Sequence, residues 1–264
     1  MRLKIAHRTE YHYDAPVHYA LQRLRLVPAS GPTQLVRDWA LRIDGAREEL
    51  RFRDAFGNDT RLLSVEGAPH AIVVEAVGEV DTRDTSGVLG AHQGFVPLWL
   101  FAQPTPLTEA GEGVRALAKV AGQGTELERL HSLMALVGEQ VRYTPGATDV
   151  ATSAEAALAL GAGVCQDHSH VLIAAARALG LPARYVSGYL HMPGTTEQTA
   201  SHAWAEVHVP GLGWVGFDAA NGISPDERYV RVAVGRDYRD AMPLSGIRLG
   251  PGEERLAVRI TVEQ

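Results

Sequence analysis

The spacing of apolar residues changes twice along this chain, and this change limits the fold more than any other feature of the sequence. Apolar and polar residues alternate in short runs over the first third, as in residues 3–13 and 71–80. Residues 126–141 instead place apolar side chains three and four positions apart, and alternation returns after Pro182. Alternation predicts strands with one buried face, whereas the wider spacing predicts an amphipathic helix. The order of strands, helices and strands predicts an α+β protein.

Turn residues and changes of pattern divide the sequence into three parts. We predict an N-terminal β-rich domain at 1–85, a core of helices packed on an antiparallel sheet at 108–235, and a C-terminal extension at 236–264 that ends in a strand. A segment rich in glycine and proline, 83–107, is interpreted as the linker between the first two parts. The predicted strands are 3–13, 20–27, 36–43, 49–53, 60–65, 71–80, 183–190, 200–209, 214–218, 229–234 and 255–262, and the predicted helices are 126–141, 155–160 and 165–179.

Charge and composition exclude several classes of function. The net charge of −6 and the lack of a basic run argue against nucleic acid or an anionic membrane as a partner, because both require a basic surface. The charged N-terminus does not resemble a signal peptide, and no run of about 18 apolar residues follows, so we expect a cytoplasmic protein. A single cysteine excludes an internal disulfide, and the spacing of the histidines predicts no metal and no cofactor. The oligomeric state, including a homo-oligomer, is left open.

The single cysteine, Cys165, lies where the loop Gly161-Ala-Gly-Val leads into the predicted helix 165–179. Free N–H groups and the positive end of the dipole at a helix N-terminus stabilise a thiolate, which is the reactive form of cysteine. The N–H of Cys165 can also bind an oxyanion that develops beside its own sulfur. A buried structural cysteine is the alternative, since lone cysteines are often small core residues.

A base and an orienting acid for this sulfur are found on two predicted strands. His202 opens a strand with the sequence His-Ala-Trp-Ala-Glu-Val-His-Val, in which alternation places His202 and Trp204 on a polar face that we interpret as a wall of the site. Asp218 ends the next strand, Gly-Trp-Val-Gly-Phe-Asp, and the short connection predicts a hairpin that brings it beside His202. The alternatives are a solvated sheet face and a turn-forming aspartate.

Three motifs in this order resemble those of the bacterial transglutaminase-like superfamily: Gly-Val-Cys165-Gln-Asp, His202-Ala-Trp-Ala-Glu-Val and Gly-Trp-Val-Gly-Phe-Asp218. The first eighty or so residues resemble the β-rich N-terminal region of many bacterial members. The resemblance implies a papain-like core in which Cys165 is the nucleophile, His202 the general acid and base, and Asp218 the orienting acid. This chain departs from the family in having Asp218-Ala-Ala-Asn-Gly222, where Asp-Pro-Thr-Asn-Gly is frequent, and His168, where an aromatic residue is frequent.

The implied chemistry is acyl transfer from an amide through a cysteine thioester, with a peptide or protein as substrate. If water is the acceptor, the protein is a transglutaminase-like cysteine peptidase or amidase, which we favour because the sequence has no calcium-loop motif. If an amine is the acceptor, it is a protein-glutamine transglutaminase. A binding or assembly module that keeps the core without turnover is a further alternative.

The sequence determines less about the residues that surround the three. Gln166 follows the cysteine directly, and Tyr143 lies upstream of it, so both are candidates for the second oxyanion donor. Trp204 is a candidate cleft residue that shields the histidine and the acid from water. The choice between these donors stays open at this point.

Overall fold

Antiparallel strands build the first third of the chain in the computed structural model, which describes residues 1–65, 67–122 and 124–264. Burial along the sixth strand alternates without interruption, because side chains of neighbouring residues in a strand point to opposite faces. The first six strands are β1 (Arg2–Tyr13), β2 (Tyr19–Val27), β3 (Gln34–Asp44), β4 (Ala46–Arg53), β5 (Asp59–Val65) and β6 (Ala71–Thr82).

Helices and further strands follow. They are β7 (Val88–Gly90), α1 (Leu98–Phe101), α2 (Glu112–Val120), α3 (Glu126–Gln140), β8 (Arg142–Tyr143), α4 (Ala154–Leu160), β9 (Ala162–Gly163), α5 (Cys165–Ala178), β10 (Ala183–Leu190), β11 (Glu197–Gln198), β12 (His202–Val209), β13 (Gly213–Phe217), β14 (Tyr229–Gly235), α6 (Tyr238–Ala241), β15 (Leu244–Leu249) and β16 (Glu254–Glu263). No helix among the described residues has the length and apolar character that crossing a membrane requires.

Local capping explains where the helices begin. The Thr125 hydroxyl accepts the Glu128 N–H while the Glu128 carboxylate accepts the Thr125 N–H at 2.8 Å, so a capping box starts α3. The Ser153 side chain caps α4, and Gly161 ends that helix with a φ of 66°, a left-handed conformation that favours glycine.

The strands form three larger sheets. The N-terminal sheet has the order β11-β16-β1-β6-β3, and the outer sheet has the order β15-β2-β5-β4. Apolar side chains from both, such as Leu24, Leu63 and Val74, form one core between them. The core sheet has the order β14-β10-β12-β13-β7. The fold is therefore α+β with an N-terminal β-rich region, which confirms the predicted fold class.

Helix α5 lies at the centre of the helical part. It packs on β12 and β10, and α2, α3 and α4 pack around it, so that only Gln166 and Ala178 of the helix are not buried. Alanines 203 and 205 on β12 lie in the same apolar cluster as Val171 and Leu172 of α5. Small side chains on the sheet let the helix approach closely, which places the start of α5 against the start of β12.

The N-terminal sheet and the turn between β4 and β5 of the outer sheet are fixed to the core sheet by apolar packing and by two side-chain amides. The Gln34 amide donates to the Arg231 carbonyl and accepts the Arg231 N–H, both at 2.8 Å. The Asn58 amide makes the same pair of bonds to Val234, at 2.7 and 2.8 Å. Both amides therefore bond to main-chain groups at the edge of β14, as a neighbouring strand would. Another strand cannot pair with these groups.

The two segments outside the main predicted units also join the sheets. Segment 83–107, interpreted as a linker, contributes β7, which pairs with β13 of the core sheet, and the short helix α1. Segment 236–264 contributes β15, which pairs with β2, and β16, which pairs with β1. The end of the chain therefore returns to the N-terminal strands.

Candidate active site

Cys165 is the first residue of α5, and its side chain is only 8% exposed. The loop before it is held by the Asp167 carboxylate, which accepts the Val164 N–H and the Thr148 hydroxyl, both at 2.7 Å. A Cβ at Gly163 would lie 2.7 Å from the Asp167 side chain, so the loop requires glycine there. Asp167 thus fixes the main chain that positions the sulfur.

His202 and Asp218 form the closest polar contact of the site. His202 Nε2 lies 2.6 Å from Asp218 Oδ2, and the Asp218 side chain is almost fully buried. His202 opens β12, and Asp218 follows the last residue of β13, its antiparallel neighbour. The hairpin predicted from the sequence therefore brings these two side chains together.

Asp218 accepts further hydrogen bonds that hold it in place. The Tyr229 hydroxyl donates to Oδ2 at 2.7 Å, and the Asn221 side-chain amide donates to the same oxygen at 2.8 Å. The Ala220 N–H donates to Oδ1 at 3.0 Å. A carboxylate with this many donors stays ionised and has one orientation.

The protonation states of His202 and Asp218 follow from a balance between burial and their hydrogen bonds and charges. Burial opposes the charged form of His202, but hydrogen bonds and charge attraction from Asp218 and Cys165 outweigh it and raise the pKa of His202 to about 10. Burial likewise opposes the charged form of Asp218, and hydrogen bonds from His202, Asn221 and Tyr229 overcome it and lower the pKa of Asp218. At neutral pH the pair is therefore an imidazolium beside a carboxylate.

The Cys165 thiol is the second group that acts on the His202 ring. Because Nε2 faces Asp218, the ring nitrogen left for the sulfur is Nδ1. The arrangement is thus a sulfur, an imidazole and a carboxylate in series. An imidazole placed in this way can carry a proton between the sulfur side and a reacting group.

The cysteine and the histidine open into one cleft of about 680 Å³. One wall is formed by the end of β8 and the following turn, with Tyr143, Pro145 and Gly146. The opposite wall is the chain segment 197–203, which includes β11 and leads into His202. A cleft of this size admits a peptide segment or a comparable ligand.

Two of the three surrounding candidates line this cleft. Gln166 and Tyr143 both do so, and the Tyr143 side chain is 54% exposed. Trp204 does not, which corrects its prediction as a cleft residue. It is 2% exposed and packs beneath the site, with its ring stacked 6.2 Å from that of His202 and edge-on to Tyr229.

The polar face predicted for β12 also needs correction beyond Trp204. Glu206 is fully buried and pairs with Arg184 at 2.6 Å and Arg231 at 3.0 Å, so it links three strands of the core sheet. Alternation identified the face correctly but could not show that Phe56 and Ile223 pack on the cluster that contains Trp204. Only His202 of this face reaches the cleft.

Sequence reasoning missed Tyr229 and Asn221 as partners of Asp218. Asn221 lies in the Asp-Ala-Ala-Asn-Gly stretch that was compared with the family pattern, so a signal for it was present. Tyr229 begins a strand eleven residues after Asp218, and no local pattern marks it. For metals, no group of three or more histidine, cysteine, aspartate or glutamate side chains in the described part of the chain is arranged to hold an ion.

Comparison with known proteins identifies families and relatives that this chain resembles. The family model of the transglutaminase-like superfamily matches residues 115–219, and that of the bacterial transglutaminase-like N-terminal region matches residues 3–81. An uncharacterized protein of Mycobacterium leprae is 31% identical over 99% of this chain and 98% of its own length. One of Mycobacterium tuberculosis is 31% identical over 93% of this chain and 87% of its own length.

A solved structure shares the whole fold. A protein of Cytophaga hutchinsonii, described as a candidate cysteine protease, has a TM-score of 0.75 and 23% identity, and the match covers 100% of this chain and 91% of that one. At this identity the likeness establishes the architecture of both the β-rich region and the helical core. It also confirms the fold that the sequence motifs had implied.

Proposed function

Because the chain belongs to the transglutaminase-like superfamily, we propose that it is a cysteine-dependent acyl-transfer enzyme that hydrolyses amide bonds of peptides. The observation that carries the proposal is the 2.6 Å contact between His202 and the buried Asp218, with Cys165 on the other side of the same ring. In this proposal Cys165 is the nucleophile, His202 the proton carrier and Asp218 the orienting acid.

The first half of the reaction uses the proton that His202 already holds. The Cys165 sulfur attacks the amide carbonyl as the thiolate and forms a tetrahedral intermediate. The intermediate collapses as the C–N bond breaks, and His202 gives its proton to the departing amine. The products are the free amine, a thioester on Cys165 and a neutral imidazole.

In the second half of the reaction, His202 accepts a proton instead of donating one. Water attacks the thioester carbonyl while neutral His202 takes one of its protons, and the C–S bond breaks to release the acid. The sulfur leaves as the thiolate, so that the imidazolium and the thiolate are both restored. Asp218 stays ionised throughout, because it accepts bonds from Tyr229, Asn221 and the main chain as well as from His202.

The negative oxygen of the tetrahedral intermediate needs donors close to the sulfur. The main-chain N–H of Cys165 is in the first turn of α5, where N–H groups have no acceptor within the helix. We assign the second donor to the Tyr143 hydroxyl, since this side chain is exposed in the cleft and its pKa is raised by burial, Cys165 and Asp218, so that it keeps its proton. Gln166, which also lines the cleft, is the other candidate.

Trapping of the acyl-enzyme tests the proposal. Wild-type protein is mixed with a library of glutamine-containing peptides and quenched in acid, and its intact mass is measured with and without added amine. We expect an adduct with the mass of the acyl group on the wild type and none on Cys165→Ala. A matched control is His208→Ala, which removes another histidine of β12 that lies outside the cleft and should leave adduct formation unchanged.

The acceptor is decided in the same experiment. Release of the free acid, with or without the amine, supports hydrolysis, whereas quantitative transfer of the acyl group to the amine supports a transglutaminase. No adduct with any peptide, together with unchanged labelling of Cys165 by alkylating reagents in His202→Ala, would contradict enzymatic function and favour a binding module.

A further inference from the structure

The wall of the cleft formed by residues 197–203 belongs to two sheets at once. Its later part is the start of β12 in the core sheet, and its first part is β11. Strand β11 pairs with β16, so it is the outermost strand of the N-terminal sheet. The N-terminal sheet therefore ends in the cleft, a few residues from His202.

The outer edge of β11 is unpaired. Its only strand partner within residues 1–65, 67–122 and 124–264 is β16. The Val262 N–H donates to the Thr196 carbonyl at 3.2 Å, so the polar main-chain groups of Thr196 face β16. In an antiparallel ladder these groups alternate in direction, so those of Glu197, opposite Thr261, point to the free edge.

The residues that continue this edge towards His202 also have main-chain groups free to form hydrogen bonds. The main-chain groups of Thr199 and Ala200 have no hydrogen-bond partner in the part of the chain that the structure describes. Both residues line the cleft. The Gln198 side chain donates to the Leu190 carbonyl at 2.8 Å and so holds the segment in place. A fixed, unpaired main chain beside a nucleophile is a template for adding a strand.

Away from Cys165 and His202, the charge of the cleft is set by one residue. Among the described residues that line it, Glu197 is the only aspartate or glutamate, and none is a lysine or an arginine. His202 is positive, but it lies between the Asp218 carboxylate and the Cys165 sulfur and adds no net positive charge to the cleft. The Glu197 side chain forms no ion pair with any described residue and is exposed. A ligand with a positive side chain near β11 would therefore meet an unopposed carboxylate.

We propose that the substrate is an extended peptide with a lysine or arginine side chain, which binds as an additional strand on the free edge of β11. Its main chain pairs with residues 197–200, its basic side chain contacts Glu197, and its reactive carbonyl lies against Cys165. The N-terminal β-rich region is then part of the substrate site, since it supports β11 through β16. The inference rests on the proposed function for the location of the reactive carbonyl, whereas peptide binding itself does not depend on turnover.

The test measures binding without turnover. Cys165→Ala protein is titrated into fluorescein-labelled six-residue alanine peptides that contain one glutamine and carry either a lysine or a glutamate, moved through the other positions. Anisotropy should show the best lysine peptide binding about 10-fold more tightly than its glutamate counterpart, and the ratio should fall with added salt. Adding Glu197→Gln should reduce the ratio to about 2-fold, and Glu253→Gln, which removes an exposed carboxylate directly before the far end of β16, should leave it unchanged.

Strand addition is tested separately from charge. Methylation of single main-chain nitrogens of the best peptide should weaken binding about 5-fold at alternate positions and little at the others, because only every second N–H faces the partner strand. Equal binding of lysine and glutamate peptides, a ratio that Glu197→Gln does not change, or uniform tolerance of methylation would each overturn the inference. Absence of a thioester on the wild type would instead contradict the proposed function, whatever the binding ratio.

Discussion

Two histidines that are largely shielded from solvent, His7 and His202, have opposite protonation. The His7 ring, on β1, shares a hydrogen bond with the Tyr189 hydroxyl at 2.9 Å and one with the Thr9 hydroxyl at 3.2 Å. Burial lowers the pKa of His7 to about 4. The His202 ring is also nearly buried and also lies near a tyrosine, Tyr229, yet its pKa is raised to about 10.

The main difference is the carboxylate of Asp218, to whose effect on His202 the Cys165 sulfur adds. At His7 the tyrosine bonds to the imidazole itself, so burial acts without an opposing charge and the ring stays neutral. At His202 the tyrosine bonds to Asp218, and Asp218 bonds to the imidazole, so the buried ring keeps its proton. One region thus uses histidine to join the N-terminal sheet to β10, and the other has a histidine that can serve as a proton carrier.

The largest expected effect separates the two regions by activity. His202→Ala should lower kcat/KM by roughly 10⁴-fold, because both proton transfers lose their carrier. His7→Gln keeps a hydrogen-bonding side chain and lies outside the cleft, so it should change kcat/KM by less than about 3-fold. Steady-state hydrolysis of one peptide by both variants measures this. Similar losses in the two would remove the functional distinction between the histidines.

The second-largest effect is expected when the carboxylate that distinguishes His202 from His7 is removed. Asp218→Asn leaves His202 largely buried and removes one of the two groups that raise its pKa, while Cys165 remains, so the pKa of His202 should fall from about 10 towards its ordinary value of about 6.5. Activity at pH 7 should fall by about 10³-fold, because the imidazole then holds its proton less firmly and is less well oriented. NMR titration of the ring and kcat measured on the same sample check both parts. A ring that stays protonated at pH 8 in this variant would show that Asp218 is not the cause.

Acid should destabilise the His7 region in a defined range of pH. The pKa of His7 is lowered in the folded state to about 4, so the unfolded chain takes up the proton first as pH falls below about 6.5. Stability is therefore lost between about pH 6.5 and 4, by up to roughly 3 kcal/mol. Urea unfolding of wild type and His7→Gln at pH 7, 5.5 and 4 should show the wild type losing more. Parallel losses would mean that His7 is not the titrating group.

The smallest effect distinguishes the two tyrosines. Tyr229→Phe removes one of several donors to Asp218, so kcat/KM should fall by about 5-fold, with KM unchanged. Tyr189→Phe removes the hydroxyl that bonds to His7 and should leave kcat unchanged while it lowers stability by about 1 kcal/mol. The reverse assignment of effects would contradict the roles given to the two hydroxyls.

Much of this fold could be predicted from the sequence, because in a long strand or helix the spacing of apolar residues shows which side chains are buried. Strand β6 is an example, since its alternation persists over its whole length. The position of the proposed nucleophile was equally visible, as the loop before Cys165 leads directly into α5. Short elements such as β11 were not predictable, because a two-residue strand has no period and exists only through its distant partner β16.

For the residues of the site, prediction from the sequence has the same limit. The position of Asp218 beside His202 could be predicted, since both lie on one short hairpin. The burial of Trp204 could not, because it depends on Phe56, Ile223 and Tyr229, which belong to the same packed cluster but lie outside the hairpin of β12 and β13. Local pattern determines which face a side chain takes, and tertiary packing determines what covers that face.

The central claim is that Asp218 keeps the buried His202 protonated while His7 is neutral, and NMR of the imidazole nitrogens tests it most directly. Protein labelled with ¹⁵N is measured at pH 8 with long-range proton–nitrogen correlations, and both rings are assigned with His202→Ala and His7→Gln. We expect His202 to carry protons on both ring nitrogens and His7 on only one. A His202 ring with one bare nitrogen at pH 8 would contradict the account.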